Sequence, residues 1–288
     1  MPKLHRKRSL LAKIESSYGT DPTPTGSSNY VEVVDLEIEP VASDEVEQET
    51  IRPYPGNYPV LLANTRVNLS FGVFMVGSGS AGTAPKYDPI LKACGLSANT
   101  VSSTSVTYTP STLATQDSCT FFVNYDGVRH KVTGARGTFS ISCAVNEIPR
   151  INFEMQGIFN TPTDTALPNV SKSLQPDPVL FKNGNTSSFS IFGFSAALQS
   201  WELDFANEVI YRELVGGTKE ALITDRRPSG TMVVEAVALS DKNFFTTATG
   251  TSTGSNTWVH SGGAGNIVTV SCPQTDLGQP TYEDSDGI

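Results

Sequence analysis

The feature that most constrains this chain is a period-two alternation of apolar and polar side chains along most of its length. Val67, Leu69, Phe71, Val73 and Met75 alternate with Asn68, Ser70, Gly72 and Phe74. Phe139, Ile141, Cys143 and Val145 alternate with Thr138, Ser140, Ser142 and Ala144. Successive side chains of a strand point to opposite faces, so such runs read as half-buried antiparallel strands. Asn146, Glu147, Ile148 and Pro149 separate the second run from Ile151, Phe153 and Met155, which alternate with Asn152, Glu154 and Gln156. That pair reads as a hairpin. Helix is scarce. The spacing predicts a short one over residues 90–94, with Asp88 as N-cap, Pro89 at the first position and Gly95 past the end. A second is expected to start at Ser240 or Asp241 and to run through Phe244 and Phe245. The expected fold class is all-β and mainly antiparallel.

Composition narrows the partners. Charged residues make up 17% of the 288, so the exposed strand faces must be built largely from Ser, Thr, Asn and Gly. With 20 Lys+Arg against 29 Asp+Glu the net charge is −9, which opposes adhesion to phosphate backbones and anionic membranes. Cys94, Cys119, Cys143 and Cys272 form no C-x-x-C pair and read as free, mostly buried thiols made in a reducing cytoplasm. The basic opening (Lys3, Arg6, Lys7, Arg8) is followed by only three apolar residues before Lys13, so no secretory signal is expected. No apolar run approaches the roughly 18 residues that span a membrane.

Two motifs resemble catalytic signatures and lack their setting. Gly77-Ser-Gly-Ser-Ala-Gly82 matches the dinucleotide pattern, but Thr83, Ala84 and Pro85 continue it as loop where a helix must begin. Gly250-Thr-Ser-Thr-Gly254 matches a nucleophile elbow, with His260 nearby, yet no strand leads in and no helix leads out. His5, His130 and His260 have no ligand spacing. Neither catalysis nor a cofactor or metal is expected. The stronger signal is acidic: residues 31–50 hold eight acids and no Lys, Arg or His. Asp35, Glu37 and Glu39 project from one face of a strand, with Val34, Leu36 and Ile38 on the other. This is either a solvated face or a surface that repels a polyanion.

The order of elements repeats. An acidic strand at Asp35–Glu39, Ile51-Arg52-Pro53, a strand from Val67, a short helix and a closing strand at Ile141-Ser-Cys143 are followed by a second acidic strand, Trp201-Glu202-Leu203-Asp204-Phe205. Arg226-Arg227-Pro228, a strand from Met232, a second helix and Val268–Cys272 then complete the series. An internal duplication accounts for this. The expected division is an arm at 1–28, a first β domain at 29–165, a Pro-rich linker at 166–187 and a second β domain at 188–288.

Leu11-Ala-Lys-Ile-Glu-Ser-Ser-Tyr-Gly-Thr-Asp-Pro-Thr-Pro-Thr-Gly26, Gly134-Ala-Arg-Gly137, Pro149-Arg150, Pro162–Pro168 and Tyr282–Ile288 together resemble the major tail tube proteins of long-tailed, non-contractile bacteriophages. The resemblance implies a tail-tube-type β-sandwich or barrel with short flanking helices, closed edge to edge into rings that stack into a hollow tube. It implies as partners a tape measure protein in the lumen, tail terminator and distal tail proteins at the ends, and genomic DNA that passes without tight binding. The virion tail, assembled in the host cytoplasm, is the implied location. Ser140, Ser142, Asn152, Glu154, Gln156 and Glu235 are lumen candidates, with a plain outer face as the alternative. Asp35, Glu37, Glu39, Glu202 and Asp204 form the candidate acidic strand face. If each half is one tube domain, three chains supply six domains and rings are trimeric, with hexamers as the alternative. A carbohydrate-binding or adhesin sandwich, or another tail component, is the rival reading.

Overall fold

The structure, a computed structural model, describes residues 3–284. Met1, Pro2 and the last four residues of the C-terminal motif lie outside them. In chain order the elements are β1 (Arg8–Ile14), α1 (Gly26–Asn29), β2 (Tyr30–Val31), β3 (Val34–Glu47), β4 (Val60–Phe74), α2 (Asp88–Ala93), β5 (Leu96–Val101) and β6 (Ser105–Pro110). Then come β7 (Cys119–Tyr125), β8 (Val128–Ala144), β9 (Arg150–Phe159), β10 (Thr163–Asp164), β11 (Thr186–Ile191) and β12 (Leu198–Asp204). The chain closes with β13 (Asn207–Arg212), β14 (Glu220–Arg226), β15 (Ser229–Val234), α3 (Phe244–Ala248), β16 (Gly254–Ser261) and β17 (Ile267–Thr275). The fold is all-β and antiparallel.

β8, at 17 residues, is the axis. One edge pairs with β9, from Val132 opposite Phe159 to Ser142 opposite Arg150. The other edge serves two partners: β7 along the first part, then β12 from Ser140 to Ala144. A sheet of order β3-β4-β9-β8-β12-β15 results, with β7, β1 and β2 branching from its centre. The branch folds over as a second layer, because Phe121 of β7 meets Phe71 of β4 edge-on at 5.9 Å. Arg8 at the start of β1 donates to the Leu36 carbonyl of β3 at 2.6 Å, almost closing a barrel. The segment expected as an N-terminal arm thus supplies a strand, with Leu10, Leu11 and Ala12 buried.

Register explains the core. Phe71, Phe153 and Phe139 stand on the inner face of β4, β9 and β8, with Phe71 and Phe153 stacked at 5.5 Å. Phe205, from beyond the expected linker, stacks on Phe139 at 4.5 Å. A second layer of β11, β16 and β17 covers β12 and β15, bringing Trp258 against Trp201 at 5.4 Å. One hydrophobic cluster runs through both halves. The expected hairpin appears as β8 and β9, and the helix α2 ends as read, with Gly95 at φ +78°. Asp88 does not cap it. Its carboxylate instead accepts from Lys92 Nζ at 2.9 Å and Tyr108 Oη at 2.8 Å, and Tyr87 is the N-cap. The second helix begins at Phe244, four residues after the earliest expected start at Ser240, and follows Asn243, whose side chain accepts from the Thr246 amide at 3.0 Å.

The glycines of the 77–82 loop serve a seam between the halves. Gly77 N donates to Asn266 Oδ1 at 2.7 Å and Gly79 N to the Gly265 carbonyl at 3.0 Å. Gly265 has φ +78°, and a Cβ there would lie 2.4 Å from Gly79 backbone. Gly265→Ala is therefore expected to lower stability by about 2 kcal/mol or more, through strain plus clash. Denaturant unfolding of the variant against the parent checks this; an unchanged midpoint would show that the seam yields freely.

Candidate functional site

Pairing register, not sequence spacing, decides which side chains share a face. Ser70 lies between Glu37 and Glu154, and Glu154 opposite Thr138. Ser140 lies between Asn152 and Asp204, and Ser142 between Arg150 and Glu202. The lumen candidates Ser140, Ser142, Asn152, Glu154 and Gln156 and the acidic candidates Glu37, Glu39, Glu202 and Asp204 therefore stand on one outer face of one sheet, and Asp35, in a bulge with φ +51°, joins them through Arg150. They come from opposite ends of the sequence. Glu235 stands apart from the ladder: it follows the last residue of β15, exposed, with its amide donating to the Ala197 carbonyl at 2.9 Å.

This face is acidic and internally wired. Gln156 Nε2 donates to Asn68 Oδ1 at 3.2 Å, and Asn68 Nδ2 donates to Glu39 Oε2 at 2.7 Å, a relay across three strands. Arg150 pairs with Asp35 at 3.0 Å. Glu37, Glu154 and Glu202 are exposed. Among the described residues no lysine occupies a strand position of this face, so its summed field is negative.

β13 overhangs one end of the face and leaves a groove of about 560 Å³ between Asn207, Val209 and the row Glu37, Glu39, Glu154 and Gln156. Two guanidiniums hold the β13–β14 hairpin there. Arg136 donates through Nη1 to the Ala221 carbonyl and through Nη2 to the Gln116 carbonyl, both at 2.7 Å, with its plane over Tyr18. Arg226 donates to the Gly95 carbonyl at 2.9 Å and to Asn207 Oδ1 at 2.9 Å, and lies over Phe205 at 4.4 Å. Burial lowers both guanidinium pKa values from their usual range and pushes the Tyr18 hydroxyl up to about 12. Beside them Glu15 is buried yet fully bonded. Its two oxygens accept from Thr120 Oγ1 and Ser118 Oγ at 2.5 Å and from the Gly134 and Gly19 amides at 2.7 Å. Sequence reading missed Arg136, Asn207 and Glu15. Gly134-Ala-Arg-Gly137 marked the place but not the contacts.

The motifs set aside at the outset sit elsewhere. α2 begins at Asp88, after the 77–82 loop is already tied to Gly265 and Asn266. His260 is buried with Nδ1 3.0 Å from Thr186 Oγ1, whereas Ser252 lies exposed in the loop before β16. Both tryptophans are buried, at 2% and 0% exposure, so neither offers a platform for a sugar ring. Cys94, Cys119 and Cys143 are buried free thiols and Cys272 is half-buried.

A two-layer antiparallel sandwich with open sheet edges and a polar acidic face is the architecture of a structural protein. The family model described as phage tail tube protein matches residues 6–287, and the chain belongs to that family. It is a structural component of the virion tail, and its family implies subunits that stack into a tube. A search of the curated proteins found no match.

Arg136 and Glu154 separate structure from surface. Arg136→Ala is expected to cost about 3 kcal/mol, because the carbonyls of Gln116, Ala221 and Asp117, the last bonded by Nε at 3.2 Å, lose a buried charged donor. Glu154→Lys, at an exposed position, should stay within about 0.5 kcal/mol. Chemical denaturation of both variants checks the contrast; comparable losses would mean that the acidic face is itself part of the fold.

Proposed function

We propose that this chain closes into rings whose bore is lined by the acidic sheet face, and that the rings stack into the conduit for tape measure protein and then DNA. The observation that carries the reading is the polar six-stranded face, with acids on β3, β9 and β12, on a sheet whose outer strands β3 and β15 each keep one unpaired edge. An open edge pairs readily with another chain, and ring closure uses it up. A negative wall repels phosphate over the roughly 8 Å screening length and so lets DNA pass without holding it. Glu235, at the rim of β15, adds to that field. The chain is read as non-enzymatic, assembled in the host cytoplasm, with tail terminator and distal tail proteins meeting the tube ends.

Rings of three copies are favoured over six by the width of the sheet. With strands about 4.8 Å apart and tilted about 40°, 18 strands close at a backbone diameter of about 35 Å and 36 strands at about 70 Å. The narrower bore passes one DNA duplex with its water; the wider one leaves a loose fit. The repeated order of hairpin, helix and hairpin, with β3–β4, α2 and β8–β9 answered by β12–β15, α3 and β16–β17, supports two tube-like units per chain. The free edge of β15 then takes β3 of the next copy between chains, as β8 takes β12 inside the chain.

Negative-stain microscopy and native mass measurement of the purified protein are expected to give hollow rings near three times the 30.8 kDa chain. Six-fold mass would overturn the stoichiometry, and a protein that never assembles would overturn the tube reading. Particles carrying Glu154→Lys with Glu235→Lys should assemble normally and eject DNA more slowly, since each lysine gives phosphate an attractive stop. Ejection at the parental rate would remove lumen charge from the account.

A further inference from the structure

Two ribbons extend beyond the sheet; one is docked along its length, and the other is held only at its root, where the Thr65 carbonyl accepts from Tyr211 Oη at 3.3 Å. β13–β14 continues β12–β15, bends at Phe205 and Ala206, where Ala206 has φ +48°, and folds onto the first half of its own chain. There Ala221 and Ile223 are buried, and Arg226 donates to the carbonyl of Gly95, the residue after the α2 C-cap. The outer parts of β3 and β4 are the equivalent extension, joined to the sheet through register shifts at Glu39/Ala42 and Ala42/Asp44. Leu61 and Leu62 are more than half exposed, and Ile51 in the loop between its strands is fully exposed.

The correspondence runs residue by residue. Arg226 pairs with Asn207 at the root of the docked ribbon, and Arg66 pairs with Ala42 at the root of the free one. Arg66 is thus the structural counterpart, in place of Arg52 as the sequence repeat suggested. Arg66 reaches Asp44 and the Asn64 carbonyl through Nη1, but its buried Nε has no partner, whereas the Arg226 Nε is satisfied by Asn207 Oδ1. Counting back from each arginine, Ala63 answers Ile223 and Leu61 answers Ala221. On the receiving side, Gly250 follows the α3 C-cap Thr249 as Gly95 follows Cys94. Phe245 of α3 and Tyr282 form an exposed aromatic pair at 5.6 Å, and Lys242, its Nζ bonded to the Phe192 carbonyl at 3.1 Å, brings to the start of α3 a positive charge opposite in sign to the ribbon's exposed Glu45 and Glu47.

We propose that the β3–β4 ribbon docks on the second half of a neighbouring copy, over α3 and Gly250, as β13–β14 docks on the first half of its own chain. Arg66 donates to the carbonyls that follow α3, and Leu61 and Leu62 cover the Phe245–Tyr282 pair. The contact rests on the ring reading with two units per chain, and it makes each ring a set of clasped neighbours in addition to paired edges.

Mixing full-length Ala63→Cys and Gly250→Cys chains under oxidation tests it. A disulfide needs Cα atoms within about 7 Å, so it reports this contact and not mere proximity. The expected result is a 63–250 cross-link between chains inside rings, absent from the parent. Adding Arg66→Ala should lower the cross-linked fraction about tenfold, the effect of losing one charged hydrogen bond. Rings that form without this cross-link, or that join Ala63→Cys to Val145→Cys at the opposite end of the sheet, overturn the docking and leave the tube standing. Absence of rings in every mixture overturns both.

Discussion

Everything in this molecule depends on the backbone hydrogen bonding of β8. A strand has two edges, and an unpaired buried edge is costly, so a 17-residue strand must find partners along its whole length. β9 takes one edge from Val132 to Ser142, and β10 takes its start at Val128 and Arg129. The other is divided between β7 and β12, and the division is made at the bulge around Gly134, whose φ of +61° only glycine holds without strain. A Cβ there would also strike the Tyr18 ring at 2.7 Å. Before the bulge the ladder feeds the outer layer; after it, the ladder carries the sheet onward into the second half. The acidic face is continuous because the same strand belongs to both.

Buried charge fixes the bend. Glu15 collects four donors at the bulge, two of them backbone amides, and Arg136 and Arg226 spend their donors on backbone carbonyls and Asn207. None of the three relies on a direct carboxylate–guanidinium pair. Full hydrogen bonding of an isolated buried ion is what makes its desolvation tolerable, and it also demands one geometry of the loops that supply the partners. The outer face follows the opposite rule. Its acids are exposed, loosely bonded and free to set a field.

The strand faces were legible because period two is a local property: Leu36 in and Glu37 out follows from adjacent residues alone. The hairpin of β8 and β9 was legible for the same reason. What joined the faces was not, since Asp204 and Ser140 meet only through a register that no local pattern encodes. β1 read as part of an arm because Leu10, Leu11 and Ala12 are buried in succession and show no alternation. The N-cap reading of Asp88 failed where Lys92 and Tyr108 compete for the same carboxylate. Arg136 draws partners 20 and 85 residues away, a separation at which sequence carries no signal.

The seam between the halves has a consequence for the segment that connects them. Once β12 lies on β8, Phe205 on Phe139 and Gly265 against Gly79, the halves are held by backbone, aromatic and turn contacts that do not involve residues 166–180. The peptide link is then redundant in the finished subunit. Its value lies in time: tethering gives one half a high effective concentration at the other, so the seam forms before a stranger's edge can. A chain nicked there after folding would remain one particle, while two halves made separately would meet each other only in competition with every open edge around them.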